Sequence, residues 1–290
     1  MDIKDLMVFE AVSRHGRMNR AAAELHTVQS NVTARIRSLE DELGVKLFQR
    51  HARGVTTTPA GERMQPYIGR LQKLMADAKA AARDDGAPHG NLVVGSLETT
   101  TAIRLSPFLG RFAQAFPDVH LIVRTGTTRK LLEDVIEGRL ECAFVAGPVH
   151  HPALRQHAAF QEDMVLVTPR TIRTAADLAM VRDLKSIVFQ SGCSYRQRLE
   201  YILTDMGILT CEPLEFGSLD AILSCVAAGV GVTLLPRGVV ARAWQEGRIA
   251  VHELPPEHAQ VQTVLIQRHD AYVSSAMRAF VEMAQKSPEA

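Results

Sequence analysis

Between residues 17 and 58 the chain reads RMNRAAAELHTVQSNVTARIRSLEDELGVKLFQRHARGVTTT, and within it Val32, Ile36, Leu39 and Leu43 recur at spacings of four, three and four. That spacing gives a helix one apolar side, which must pack inward. Its opposite side carries Ser30, Ala34 and Arg37, flanked by Asn31 and Thr33, and is uncharged except at Arg37. A helix built only to meet water would more often present Lys and Glu. Short side chains instead let a helix approach base edges, where amides read adenine and hydroxyls serve as donor or acceptor. A shorter helix containing Ala21, Ala22 and Leu25 precedes it, with Asn19 or a neighbour as its expected cap. Thr27 is the expected cap of the longer helix, which leaves Gln29 and Ser30 in the first turn. After Gly44 the helical period stops. Val45, Leu47 and Phe48 then take apolar strand positions, and Ala52-Arg53-Gly54 makes a turn. The stretch therefore reads as a winged helix-turn-helix shaped for a DNA groove, with Arg50 and Arg53 near the wing tip.

The charge distribution agrees through position more than amount. The whole chain carries a net charge of only +1, but eleven Lys or Arg against five Asp or Glu fall between Arg14 and Lys73, around the proposed reading unit. Clustered cations are the electrostatic footprint of phosphate contact. At 290 residues two or three domains are expected. No signal-peptide pattern and no apolar run of membrane-spanning length occurs, so a cytoplasmic protein without a membrane partner is expected. Cys142, Cys193, Cys211 and Cys225 are dispersed and lack a CxxC pairing. They suggest reduced, mostly buried thiols and neither a zinc site nor a disulfide framework.

Before the reading unit, Asp2 can cap a first helix with Asp5 in its opening turn, and Val8, Phe9 and Val12 gather on one side to meet the recognition helix. Behind the wing, Thr58-Pro59 supplies a cap followed by proline at the first helical position, and a helix should run to about Arg83. Met64, Ile68, Leu71, Met75, Ala78 and Ala82 repeat there at four, three, four, three and four, a coiled-coil seam able to pair two chains. The alternative is a helix lying on its own domain. Pro66 should kink the helix unless it restarts there. Two paired chains would hold their recognition helices one DNA turn apart and read a partly palindromic operator.

The boundaries expected are a DNA-binding domain over 1–58, a linker helix and hinge over 59–88, and an effector domain over 89–290. From Asn91 onward short apolar strands alternate with helices, which is α/β, with ligands expected outside the carboxyl ends of the strands. Those ends are rich in hydroxyls: Ser96-Leu97-Glu98-Thr99-Thr100-Thr101, Thr125-Gly126-Thr127-Thr128, Gln190-Ser191-Gly192-Cys193-Ser194 and Phe216-Gly217-Ser218. Each segment opens a helix, so free N–H groups, the positive dipole end and hydroxyls converge, and a carboxylate would suit them. The plainer reading makes these Ser and Thr ordinary helix caps. Glu98, if it faces the cleft, favours a ligand that also carries an amine; otherwise it faces solvent or a cation. Cys193 offers a different function, a thiol redox switch, because a helix start with Arg196 and Arg198 close behind lowers a thiol's pKa. Catalysis finds no support: the one adjacent histidine pair, His150-His151, has no third ligand at metal spacing, and no GxSxG, P-loop or HExxH occurs. No catalytic residue, metal or cofactor is expected.

The run AAAELHTVQSNVTARIRSLEDELGVKLFQRHARGVTTTPAG resembles the amino-terminal domain of LysR-type transcriptional regulators, matching helix, wing and following helix in order. Two positions depart from the family: Val28 stands where Ser is usual, and Ala34 where Arg is frequent, with Arg35 next door. The resemblance implies that Gln29, Ser30 and Thr33 touch base edges while Arg50 and Arg53 hold backbone or minor groove. It also implies that the second half is a two-lobed fold akin to periplasmic solute-binding proteins. Lobe one would take 91 to about 147 and 255 to 285, lobe two about 148 to 250, with Gly147-Pro148 at one crossing and Gly147 among the effector-binding residues. Further implications are a small-molecule effector between the lobes, a homodimer assembled into a homotetramer, and RNA polymerase as a further partner. Some peroxide-sensing members carry a reactive Cys in a segment similar to that of Cys193, paired with a nearby second Cys; here the next is Cys211.

Overall fold

Asp2 accepts a hydrogen bond from the Asp5 backbone while Asp5 returns one to Asp2, and this reciprocal box starts helix α1 (Ile3–His15). In the computed structural model, which describes residues 1–51, 54–190, 192, 194–208 and 211–286, α1 is followed by α2 (Met18–Glu24) and α3 (Gln29–Leu43). Strands β1 (Phe48–His51) and β2 (Gly54–Thr57) then form an antiparallel wing. Phe9, Val12, Val32, Ile36, Leu39 and Leu47 lie buried together, so the predicted apolar side of α3 packs inward. The wing is fastened to α1 at Gly54, where the Val55 amide bonds the Gly16 carbonyl at 2.9 Å. A β-carbon on Gly54 would collide with that same oxygen, so only glycine fits.

Two expected caps are corrected. Helix α2 starts at Arg17 without a side-chain cap, and Asn19 accepts from the adjacent Arg20 amide instead. Helix α3 starts at Val28, and the Thr27 hydroxyl takes the Asn31 side-chain amide at 2.9 Å.

Helix α4 (Pro59–Arg83) runs unbroken through Pro66. Residues Glu62 and Pro66 are both exposed, so water can satisfy the carbonyl that proline leaves unbonded. The expected seam is corrected as well. Ile68 is 1% exposed in the winged-helix core and Met64 packs against that core, so neither is available to a second chain. The exposed apolar row is Tyr67, Leu71, Leu74 and Ala78, which keeps Leu71 and Ala78 of the seam and puts Tyr67 and Leu74 in place of Ile68 and Met75. Contacts divide the chain into two units, Met1–Ala82 and Arg83–Ala290.

The second unit contains β3 (Gly90–Ser96), a continuous helical run of α5 (Glu98–Thr100), a π turn (Thr101–Leu105) and α6 (Ser106–Ala115), then β4 (Val119–Thr125), α7 (Thr128–Ile136) and β5 (Cys142–Ala146). The long β6 (Leu154–Pro169) leads through a 3-10 turn to β7 (Lys185–Phe189), α8 (Ser194–Asp205), β8 (Cys211–Phe216) and α9 (Leu219–Ala227). Then come β9 (Thr233–Pro236), α10 (Arg237–Gln245), β10 (Ile249–His252), α11 (Pro256–Ala259), β11 (Gln260–Arg268) and α12 (Ser275–Lys286).

In the first lobe β3 pairs in parallel with β4 and β5, and β11 joins β5 to β6 in antiparallel fashion. Phe108, Phe112, Phe144, Phe160 and Phe280 fill its core, the Phe280 ring meeting Phe108 edge-on at 5.0 Å. In the second lobe β9 and β10 pair with β6, and β7 pairs with β8. Gly147-Pro148 is therefore not where the chain changes lobes. The Gly147 amide bonds Gln262 of β11, and residues 154–163 of β6 return alongside β11 in the first lobe. The change falls between Asp163 and Met164, inside one continuous strand, and the second crossing lies between β10 and β11. Asp84 fixes the entry to this unit, accepting from the Tyr272 hydroxyl at 2.6 Å and the Ser275 amide at 2.8 Å. Those bonds hold its carboxyl well below the usual carboxylate range.

Candidate nucleic-acid interface and effector cleft

With Val32, Ile36 and Leu39 buried, α3 turns Gln29, Ser30, Asn31, Ala34 and Arg37 to the surface, with Thr33 half-buried beside them. Short polar side chains thus form an exposed face on a helix anchored along its other side, as groove reading requires. Arg50 is exposed on β1, while Arg53 lies outside the described residues. Arg35 is removed from the reading face: its guanidinium bonds Asp5 at 2.7 Å, with Asp2 at 3.8 Å. The helix turn that places Arg35 one position past Ala34 aims it at the amino end of α1, where two carboxylates already hold it. Arg14 is likewise paired, with Glu10 and Glu24.

Sequence reasoning missed Glu40. It is 6% exposed at the inner end of α3, and its carboxylate accepts from the Leu47 amide at 2.9 Å, the Phe48 amide at 3.2 Å and Lys46 Nζ at 2.9 Å. Burial pushes its pKa up, but these three bonds outweigh burial and hold it below the ordinary value of 4.5. One buried carboxylate thereby ties the recognition helix to the root of the wing. An acid on the apolar side of α3 was the available signal.

In the second unit a cavity of about 150 Å³ opens at the carboxyl ends of β3, β4, β7 and β8. Glu98, Thr99, Thr125 and Thr127 line it from the first lobe, together with Leu97 and Gly126; Phe189, Gln190, Tyr195, Phe216 and Gly217 line it from the second. Glu98 crosses between them, its Oε1 accepting from the Leu219 amide at the start of α9 at 2.9 Å. Thr127 caps α7, taking the Lys130 amide at 3.4 Å. Thr99 is 2% exposed and belongs to the lining, and its hydroxyl is buried without a protein partner.

The other expected effector residues are placed differently. Ser96 is fully buried and its hydroxyl bonds the Leu97 carbonyl; Thr101, in the π turn, bonds the same carbonyl at 2.9 Å. Thr100 is buried without a hydroxyl partner and does not line the cavity. Ser218 is exposed at the start of α9 and also lies off the lining. Gly147 and Ser194 line a separate, more open cavity of about 350 Å³ beside Arg198, Tyr201 and His258. Ser191 and Cys193 lie outside the described residues, as does the side chain of Cys211. Among the described residues no group of three metal-ligating side chains occurs, and no helix is long and apolar enough to cross a membrane. The aromatic lining was missed because Phe189, Tyr195 and Phe216 read as strand-end and helix-start core positions.

The profile described as "Bacterial regulatory helix-turn-helix protein, lysR family" matches residues 3–62, and "LysR substrate binding domain" matches residues 85–288. The chain belongs to the LysR family of transcriptional regulators. A relative in Bacillus subtilis (strain 168), the HTH-type transcriptional regulator GltR, is 39% identical over 281 residues, covering 97% of this chain and 95% of that one. The HTH-type transcriptional regulator CzcR of Bacillus anthracis is 35% identical over 286 residues, covering 99% and 98%. Among solved structures, a full-length OxyR variant from Pseudomonas aeruginosa superposes with a TM-score of 0.72 at 20% identity, covering 100% of this chain and 96% of that one. Full-length CbnR complexed with its target DNA does so with a TM-score of 0.66 at 25% identity, covering 99% of each chain. This LysR-type chain is accordingly a DNA-binding transcriptional regulator with an effector-binding domain, and its relatives are regulators, not enzymes.

Proposed function

We propose that this LysR-type regulator reads its operator with Gln29, Ser30 and Thr33 of α3, positions itself with Arg37, Arg50 and Arg53, and changes its hold on DNA when a small molecule occupies the cavity between the two lobes. The observation that carries the reading is the lining itself. Both lobes contribute to one cavity at strand ends and helix starts, with Glu98 bridging them through the Leu219 amide. A ligand touching both lobes favours their closed arrangement over an open one, which is the differential affinity a switch needs. Two chains pair along the exposed row Tyr67, Leu71, Leu74 and Ala78 of α4, with Ala82 beyond it and the half-buried Met75 at its edge. A partly palindromic operator follows from that pairing. Assembly of dimers into a tetramer, contact with RNA polymerase, a cytoplasmic location and the absence of catalysis complete the reading.

The test is a thermal-shift screen of the full chain against amino acids, amines and small carboxylic acids. A ligand at a hundred times its dissociation constant adds about 2.7 kcal/mol. Gly217→Val places a side chain into the lining, where a β-carbon meets nothing nearer than Gln190 at 3.7 Å. Stabilisation that disappears in this variant supports the cleft; stabilisation that persists places the ligand elsewhere and refutes it.

A further inference from the structure

Helix starts in this cleft should attract an anion, yet the chain already supplies one. The first amide of α9, that of Leu219, is bonded by the Glu98 carboxylate at 2.9 Å, so the positive end of that helix is met from within. Glu98 is the single charged side chain among the described residues that line the cavity, and no lysine or arginine accompanies it. Arg129, whose Nε lies beside Gly192, is not part of the lining. Three aromatic side chains, Phe189, Tyr195 and Phe216, share the lining with the carboxylate. A negative group in a lining with aromatic rings and no cation of its own is an environment suited to an ammonium. An anionic ligand would instead bring a second negative charge against Glu98 in a half-enclosed site, where like charges are poorly screened.

We propose that Glu98 sets the charge of the effector, and that the cleft takes a small molecule bearing a protonated amine. The amine donates to the Glu98 carboxylate, whose Oε2 takes no hydrogen bond from the described residues, while Oε1 keeps the Leu219 amide. At about 150 Å³ the cavity suits a molecule on the order of ten non-hydrogen atoms or fewer. Because Glu98 belongs to the first lobe and the aromatic lining to the second, a ligand held by Glu98 also touches both lobes. This inference rests on the cleft being the effector site.

Two matched sets of probes separate charge from shape: butylamine, butanol and butyrate, and benzylamine, benzyl alcohol and benzoate. Binding of each to the full chain is measured by calorimetry in wild type, Glu98→Gln and Gly217→Val. Glutamine keeps a carbonyl for the Leu219 amide, so the cleft retains its shape while losing its charge. In wild type at least one amine binds more tightly than the alcohol and acid of its set, and Glu98→Gln weakens it by about tenfold or more, the loss expected for a charge-assisted hydrogen bond. The proposal is overturned if the acid binds wild type as tightly as the amine, if the amine keeps its affinity in Glu98→Gln, or if neither amine binds at millimolar concentration. Amine binding lost in Gly217→Val but kept in Glu98→Gln leaves the cleft standing and removes the role of Glu98. Amine binding kept in Gly217→Val removes the cleft itself.

Discussion

Replacing Glu40 tests how the recognition helix controls the wing. Leu47 and Phe48, whose amides it accepts, are 1% and 6% exposed, so neither amide meets water once the carboxylate is gone. A buried donor left without a partner costs about 1–3 kcal/mol, which puts Glu40→Ala at about 2–6 kcal/mol for the two. The Lys46 contact adds little, because that side chain is 68% exposed and surface pairs contribute at most about 1 kcal/mol. Glu40→Gln keeps an acceptor for the two amides and loses only charge, so about 1 kcal/mol is expected. The assay is hydrogen exchange in the full chain, read at the Leu47 and Phe48 amides. Opening there should rise by a factor of roughly 30 or more in the alanine variant, since 1.4 kcal/mol is tenfold. Acid adds an independent check. The folded pKa lies below the ordinary 4.5, so the stabilisation is fully present above that value and is lost as pH falls through the folded pKa. The gap between wild type and Glu40→Gln should be flat near neutrality and close on acidification. Unchanged exchange at both amides in Glu40→Ala would refute the reasoning, because the wing root would then be held by something else.

At the DNA face, Gln29→Ala should cost about 1–3 kcal/mol mainly at one base position, whereas Arg50→Ala should weaken binding to all sequences and lower the salt slope by about one. Anisotropy titrations of a selected operator and its single-base variants, at several salt concentrations, distinguish the two; a uniform loss from both would show the division between reading and positioning residues to be wrong. On α4, Ile68→Ala should destabilise the first unit by about 2–5 kcal/mol, as for a buried aliphatic side chain, and leave the oligomer intact. Leu74→Ala should leave unfolding nearly unchanged and shift sedimentation toward monomer, and the opposite pattern would restore the seam through Ile68. Burial pushes the Cys142 thiol well above its ordinary 9.0, so it should resist thiol reagents in the folded chain and react only in denaturant. Labelling of Cys142 in the native protein would contradict its place in β5.

Periodicity made the first unit legible because each helix there has one apolar face and a single core to bury it in. Val32, Ile36 and Leu39 could point only one way, and the reading face followed by exclusion. The same logic misassigned Ile68. A heptad row is apolar whether it meets a partner chain or its own domain, and spacing alone does not say where along α4 the first use gives way to the second. Arg35 shows a related limit: a cation near a DNA face looks unpaired in sequence, and only the structure places the chain's own Asp5 beside it. In the second unit the strand ends were legible as a cluster of Ser, Thr and Gly, and Glu98, Thr99, Thr125 and Thr127 line one cavity there. The aromatic half of the lining was hidden, because a Phe at a strand end reads as core until pairing fixes which side of the sheet it occupies. The lobe crossing was hidden too. Residues 154–169 form one strand, and only its partners, β11 before Asp163 and β9 and β10 after it, reveal that it serves both lobes.

That strand also limits what the cleft can do. A continuous β6, with the β10-to-β11 connection beside it, joins the lobes at their sheets, while Glu98 and Leu219 meet at the cleft. Moving the lobes apart costs the Glu98 bond and exposes the ring lining, but it leaves most of the strand pairing of each lobe untouched. Leu97, Leu131 and Val135 of the first lobe are nevertheless buried in one cluster with Val188, Tyr195 and Leu199 of the second, so two arrangements can differ only by a movement small enough to keep that core together. To move such an equilibrium from 1:99 to 99:1 a ligand must prefer one state by about 5.5 kcal/mol. Two or three charge-assisted hydrogen bonds, at about 1.5–3 kcal/mol each, are enough if they form only when both lobes are in reach. Glu98 supplies one ionised group from the first lobe, and Gln190 with the aromatic rings supplies neutral contacts from the second, so the ligand's own charge must make up the rest. A molecule that touched the first lobe alone would bind both arrangements equally and leave the DNA-bound state as it was, however tightly it bound.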